Sequence, residues 1–311
     1  MSGVGDGSAI GAPPGRERGY WRSALHGLLR DWTAVIGLVI VVGLVLAALL
    51  APLLAPYDPT FQHRDGLGPV GEPLPPGTPG FPLGTDALGR DEASRLLHGA
   101  RISLLVGIGA NVLAALIGVL VGGVAGMAGR RLQSVLMRIV DIVLSFPVLL
   151  LAVALLAVAQ PSLGTIILII GIAFGAYLAR IIYTQVVSLR ERDFVLAARI
   201  CGVSDAAILV RHIVPHVIPT VIVYGTLGVA TSILLEAALS YIGMGIRPPD
   251  ASWGNMISEG QPFLMTARWL VALSAAALVL AMLGFSLLGD GLRDALDPTL
   301  ERGRRLLGGI R

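Results

Sequence analysis

The feature that most constrains this chain is a set of uncharged apolar runs longer than a soluble core needs. Residues 33–54 and 102–129 carry no charge, and residues 142–179 run 38 positions without one. About 20 apolar residues cross a hydrocarbon layer of roughly 30 Å as a helix. Within lipid only helices and closed barrels satisfy every backbone polar group. Runs of this length predict helices, so the expected fold class is an all-α integral membrane protein. The charged fraction agrees: 14% of the chain, against about a quarter in a soluble domain.

Taken in order, the runs predict six spans. Residues 1–32 form an N-terminal segment. Its first fifteen residues, rich in Gly, Ser, Ala and Pro, are expected to be disordered. Arg16, Arg18, Arg22 and Arg30, interleaved with Tyr20, Trp21 and Trp32, then read as an interfacial anchor. Span one is 33–54, closed by Pro52 and Pro56. A loop at 55–101 leads into span two, whose glycines invite close helix packing. The 142–179 run is too long for one crossing, and Gln160, Pro161 and Ser162 split it into spans three and four. Pro147 predicts a kink early in span three. Asp141, three residues after Arg138, predicts a local ion pair. Spans five and six are 217–235 and 269–289, and a tail occupies 290–311.

All 23 basic residues are Arg, and 17 of them fall in 1–32, 130–138, 180–211 and 290–311, the segments on one side of the alternation. The positive-inside bias therefore predicts both termini in the cytoplasm. The first apolar run is too long for a signal-peptide core and lacks a cleavage site. One cysteine, Cys201, excludes an intrachain disulfide. The net charge of +3 resides in inter-span loops and gives no argument for a nucleic-acid partner.

The segment 189–219 is a polar island between two spans, long for a loop in a compact bundle. It has helical periodicity: Phe194, Ala197, Ala198 and Cys201 share one apolar face. Gly202 suits a left-handed helix stop. Ser204 or Asp205 can cap a second short helix, and Pro215 is expected to end the pattern before span five. Upstream, residues 82–104 read P-L-G-T-D-A-L-G-R-D-E-A-S-R-L-L-H-G-A-R-I-S-L. Gly84 and Gly89 allow tight turns, and Asp91 or Asp86 can cap the helix of span two. Asp86, Arg90, Asp91, Arg95 and Arg101 are expected to form a charge network that orders the loop. Glu236 lies at the far end of span five, where an acid is costly unless paired or wet. Glu236 and Ser240 are gate or pathway candidates; the alternative is that Glu236 is a carboxylate hydrogen-bonded to backbone or Ser240.

Four blocks carry a resemblance to the permease subunits of binding-protein-dependent ABC importers, the C-type subunits of the dipeptide, oligopeptide and nickel branch. The first is A-A-R-I-C-G followed by R-H-I-V-P, which resembles the family's cytoplasmic coupling loop. Leu196 stands where Glu is common, and His212 and Val214 where Ile and Leu are common. The others are G-T-D-A-L-G-R-D-E-A-S-R, the run E-A-A-L-S-Y-I-G-M-G with P-P-D-A-S-W-G, and G-D-G-L-R-D-A-L-D-P. Tyr241 and Met244 are mild departures in the third. In the fourth, Asp290, Arg293, Asp294 and Asp297 sit at helical spacing and can pair with each other or with the coupling loop.

The resemblance covers about residues 30–300. It implies a six-span importer core (102–289 with span one added) and a coupling segment at 189–215. Its ATPase-contacting residues would be Ala197, Ala198, Arg199, Gly202, Val203, Ser204, Asp205, Arg211, His212 and Pro215. It implies the bacterial cell membrane, a second homologous permease, two ATPase subunits and an extracytoplasmic substrate-binding protein, with surrounding lipid. ATP and magnesium would sit on the ATPases, leaving this chain without cofactor, metal or catalytic residues. The chain indeed has no G-x-x-x-x-G-K-[ST] phosphate loop. The implied cargo is a di- or oligopeptide, with nickel chelates, glutathione and other small solutes open. Two other classes are weighed against this. An ion-coupled secondary transporter would place several ionisable groups at mid-membrane, where only Glu236 comes near. An intramembrane hydrolase would need Ser145 or Ser240 in a G-x-S-x-G setting with His212 or His216, and neither serine has one.

Overall fold

The structure is a computed structural model that describes residues 17–296. The expected disorder of the first residues, and Asp297 with the rest of the tail, lie outside the described residues. Helix α1 (Glu17–Arg30) precedes α2 (Trp32–Leu49), which Asp31 caps by accepting from the Thr33 amide at 2.9 Å. The chain turns at Leu50 into the short α3 (Ala51–Leu54), because Pro52 has no N–H to continue the ladder of α2.

Residues 55–91 form an ordered loop without regular elements. Gly84 and Gly89 take the predicted left-handed conformation, at φ +82° and +73°. A side chain at Gly84 would also collide with the Leu74 carbonyl. Thr85, fully buried, accepts from the Leu74 amide and donates to the Gly66 carbonyl, tying the loop to itself.

A long rod follows: α4 (Glu92–Ile117), a π-turn at Gly118–Gly122, and α5 (Gly123–Met127). Next come α6 (Arg130–Leu144) and α7 (Val148–Val158), then α8 (Leu163–Leu189), capped by Ser162. Helix α9 (Asp193–Ile200) precedes α10 (Asp205–Ile208). A π-turn at Leu209–Ile213 joins α10 to α11 (Val214–Tyr241). Helix α12 (Trp253–Gly260) and α13 (Trp269–Leu296) complete the described chain.

Among the described residues, five helical rods are long and apolar enough to span a membrane, six if the bent pair α6–α7 counts as one. The predicted glycine contacts are made. Gly107 lies against Ile233 of α11, and Gly122 against the Ala179 carbonyl of α8, separations that a side chain on either glycine would close. The core at one end joins α2, α4, α11, α12 and α13 around Trp253, Ile233 and Phe285. At the other end, α8 and α11 close around Ile182, Val186 and Ile213.

Three expectations are corrected. Span three is not one kinked helix. Its first part belongs to α6, and α7 leaves at 89° after Ser145–Phe146–Pro147. Pro147 disfavours helix at the residue before it and lacks a donor, so the break is complete. Asp141 pairs with Arg180 of α8 at 2.7 Å, not with Arg138. Finally, Pro215 does not end the helix before span five: residues Asp205–Tyr241 are one rod. The π-turn just before Pro215 opens the ladder where the proline could neither donate to the Arg211 carbonyl nor clear it.

Candidate functional site

The polar island becomes a compact corner at one end of the bundle. Arg190, where α8 ends, donates to the Gly126 carbonyl at 2.9 Å and ties α8 to α5. Helix α9 stops by a Schellman arrangement. The Gly202 amide donates to the Arg199 carbonyl at 2.9 Å and the Val203 amide to the Ala198 carbonyl at 3.1 Å. Gly202 sits at φ +79°, as the motif requires. Of the two candidate caps it is Ser204 that accepts from the Ala207 amide, at 3.4 Å, while Asp205 pairs with Arg199 at 3.1 Å in the open.

The corner is anchored by Val195, Ile208 and Ile213, all fully buried against Ile182, Val186 and Val217. The predicted apolar face of α9 is only partly the anchoring one. Ala198 is half-buried, whereas Phe194, Ala197 and Cys201 are exposed, and Ile200 is 88% exposed. Helix α9 therefore has two apolar faces, one toward the bundle and one toward solution. The A-A-x-x-x-G spacing does not mark these anchors. Isoleucines recurring in an otherwise charged segment were the available signal. Arg211 and Pro215 are exposed, and His212 is half-buried. His216 takes the His212 carbonyl at 2.7 Å and stacks on Phe194 at 5.2 Å.

At the opposite end, the predicted charge network exists in altered form. Arg90 and Arg95 both reach Asp86, and both reach Glu259 of α12, at 2.8 and 2.6 Å. Asp91 caps α4 through the Ser94 amide and hydroxyl, so its role is local. Arg101 is exposed, a turn and a half along α4 from Arg95, and stands outside the network. Glu259 was missed because its partners lie 164 and 169 residues away.

Glu236 is fully buried inside α11. Its carboxylate accepts from Ser240 at 2.7 Å and from Ser103 of α4 at 3.1 Å. Ser103 in turn accepts from the Trp253 amide, and Ser252 donates to Ser240. The hydrogen-bonded alternative thus describes Glu236, and the group fastens α12 to α4 and α11. Asp290, Arg293 and Asp294 lie exposed on α13, and no ion pair joins them to the corner among the described residues. No group of three His, Cys, Asp or Glu side chains among the described residues is placed to hold a metal.

Comparison with known proteins agrees with this architecture. The family described as "Binding-protein-dependent transport system inner membrane component" matches residues 118–302. The "N-terminal TM domain of oligopeptide transport permease C" matches residues 19–76. A di/tripeptide transport system permease protein of Pseudomonas aeruginosa is 39% identical over 283 residues, 91% of this chain and 92% of that one. A dipeptide transport system permease protein of Alkalihalophilus pseudofirmus is 38% identical over 283 residues, 90% of each chain. An oligopeptide transport system permease protein of Bacillus subtilis is 39% identical over 282 residues, 91% of this chain and 90% of that one. Among solved structures, the methionine ABC transporter MetNI in inward-facing form has the same fold at a TM-score of 0.55. It is 18% identical and covers 65% of this chain and 96% of its own. The chain is therefore a multi-pass membrane protein belonging to the family of inner-membrane permease components of binding-protein-dependent transport systems.

Proposed function

We propose that this chain is one of two permease subunits of an ATP-driven importer of di- and oligopeptides. The relatives named as peptide permeases, matched over nine-tenths of the chain, support the cargo class. The observation that carries the mechanism is the outward apolar face of α9. Phe194, Leu196 and Ile200 stand exposed on a helix clamped to the bundle by Val195. Exposed apolar surface beyond the membrane spans marks a protein contact. An ATPase subunit is the partner that this position and the absent phosphate loop call for.

In this reading both termini and α9 face the cytoplasm. Ala197, Ala198, Arg199, Gly202, Val203, Ser204, Asp205, Arg211, His212 and Pro215 form or support the contact. The chain is a non-catalytic subunit; ATP and magnesium sit on the ATPases, and an extracytoplasmic binding protein delivers cargo. ATP binding draws the two α9 corners together and biases the bundle between two states, which requires that the ATPase bind them with different affinity. Glu236 and Ser240 act by fixing α12 at the outer mouth, as positioning residues.

The test is reconstitution. Uptake of a labelled dipeptide is expected only when this chain is combined with the second permease, the ATPases and the binding protein. Robust uptake by the chain alone in liposomes, driven by an ion gradient, would replace this reading with an ion-coupled transporter.

A further inference from the structure

Besides the corner and the α12 network, the molecule has a cleft of about 310 Å³ between α8, α11 and α13, at the α9 end of the bundle. Its walls are graded by depth. The rim carries Gln185, Thr220 and Arg293; the deeper wall carries Ile181, Val223 and Leu227.

Three independent markers put the rim at the edge of the hydrocarbon. On α13, Arg293 follows the uncharged run 269–289 by a turn. On α8, Gln185 lies five residues beyond Arg180, outside the uncharged run that ends at Ala179, and on α11, Thr220 lies four residues inside His216, so the rim straddles the edge. On α8 and α11 the apolar residues Ile181, Val223 and Leu227 lie on the membrane side of Gln185 and Thr220, whereas Leu296 of α13 and Pro219 of α11 close the rim from the other side. The cleft is therefore polar at headgroup depth and apolar where acyl chains begin.

The polar groups converge. Gln185 donates its amide to the Thr220 hydroxyl at 2.9 Å, which leaves that hydroxyl's proton free to turn into the cleft. Tyr224, 40% exposed, lies one turn deeper and meets Tyr177 of α8 edge-on at 6.3 Å. Arg293 is exposed and has no carboxylate within ion-pair distance among the described residues. Ala24 of α1 packs against Val223 and Leu296 beside the cleft, which brings the basic α1 to the same edge.

We propose that this cleft is a binding site for an anionic glycerophospholipid. The phosphate sits among the Arg293 guanidinium and the Thr220 and Gln185 side chains, and one acyl chain lies along Ile181, Val223 and Leu227. A guanidinium at headgroup depth attracts anionic lipid, and an arginine and hydroxyl pair supplies charge-assisted hydrogen bonds to phosphate oxygens. The site does not depend on which solute the protein carries.

The experiment is native mass spectrometry of the full chain, alone and assembled with its partner subunits, from nanodiscs of equal phosphatidylglycerol and phosphatidylcholine. Phosphatidylglycerol is expected to be retained preferentially. Arg293→Gln should lower that preference about fivefold, and Thr220→Val should lower it less. Arg247→Gln, an exposed arginine at the other end, should leave it unchanged. Equal retention of the two lipids, or a preference that survives Arg293→Gln, overturns the proposal. So does release of the lipid by a soluble dipeptide, which would make the cleft a cargo subsite. Retention by the chain alone but not by the assembly also overturns it, since the cleft would then be a seam between subunits.

Discussion

The two ends of this bundle are held by opposite kinds of chemistry. At the α12 end, Arg90, Arg95, Asp86 and Glu259 form a nearly enclosed ion network, and Glu236 is sealed among serines from three elements. At the α9 end, a short helix hangs on three buried aliphatic side chains, one turn glycine and one exposed ion pair, with apolar surface left over. The first arrangement fixes elements against one another, because Arg90, Arg95 and Asp86 are buried and lose their counter-charges if the network opens. The second is cheap to shift and sticky toward a partner. A protein moved by another subunit needs both: a corner that can be gripped, and a far end stiff enough to move as a unit.

The sharpest way to break this contrast is at Arg95, 1% exposed between two carboxylates. Arg95→Ala should cost about 3–5 kcal/mol, because Asp86 and Glu259 lose a buried counter-charge. Thermal unfolding of the purified protein measures it. A loss below about 1 kcal/mol would show that the network is solvated and that the two ends do not differ. Next is Val195→Ala, expected to cost about 1–3 kcal/mol. Its effect should be local: α9 amides gain hydrogen exchange while those of α4 and α12 do not.

Gly202→Ala comes third. Nothing lies within 4 Å of the position a side chain would take, so the cost is backbone strain alone, about 1–2 kcal/mol. Gly202→Leu should leave membrane assembly intact yet separate ATP hydrolysis from uptake in the reconstituted system. Normal coupled uptake by that variant contradicts the assignment of the corner. The smallest effect belongs to Arg199→Ala, under about 0.5 kcal/mol for a solvent-exposed pair. Its influence should appear in ATPase affinity rather than in unfolding.

Local rules carried the sequence reading a long way. The uncharged runs marked where five long apolar helices lie, because hydrocarbon excludes charge regardless of tertiary detail. Gly202 was legible as the stop and the cap was narrowed to Ser204 or Asp205, because such roles are set by backbone geometry within a few residues. What failed depended on distance or compensation. Pro215 reads as a helix breaker, yet a π-turn absorbs it. The bend after Leu144 exceeds the kink that one proline predicts, and Asp141 chose Arg180 across the fold over Arg138 beside it. Glu259 had no local signature, since its value lies in two arginines far away in the chain. The outer face of α9 was half-legible. Its apolar residues were visible in the sequence, but which of them point away from the bundle follows only from where Val195 docks.

The central claim is that the α9 corner is the handle for an ATPase on the cytoplasmic side, and the protein's one cysteine reports on it directly. Cys201 is exposed at the end of α9. Labelling the unmodified protein with a membrane-impermeant maleimide needs no substitution. Labelling is expected in inside-out vesicles but not in intact cells, with at least a tenfold loss of rate once the ATPase is bound (about 1.4 kcal/mol of protection). Labelling from the outside, or a rate indifferent to the ATPase, would contradict it.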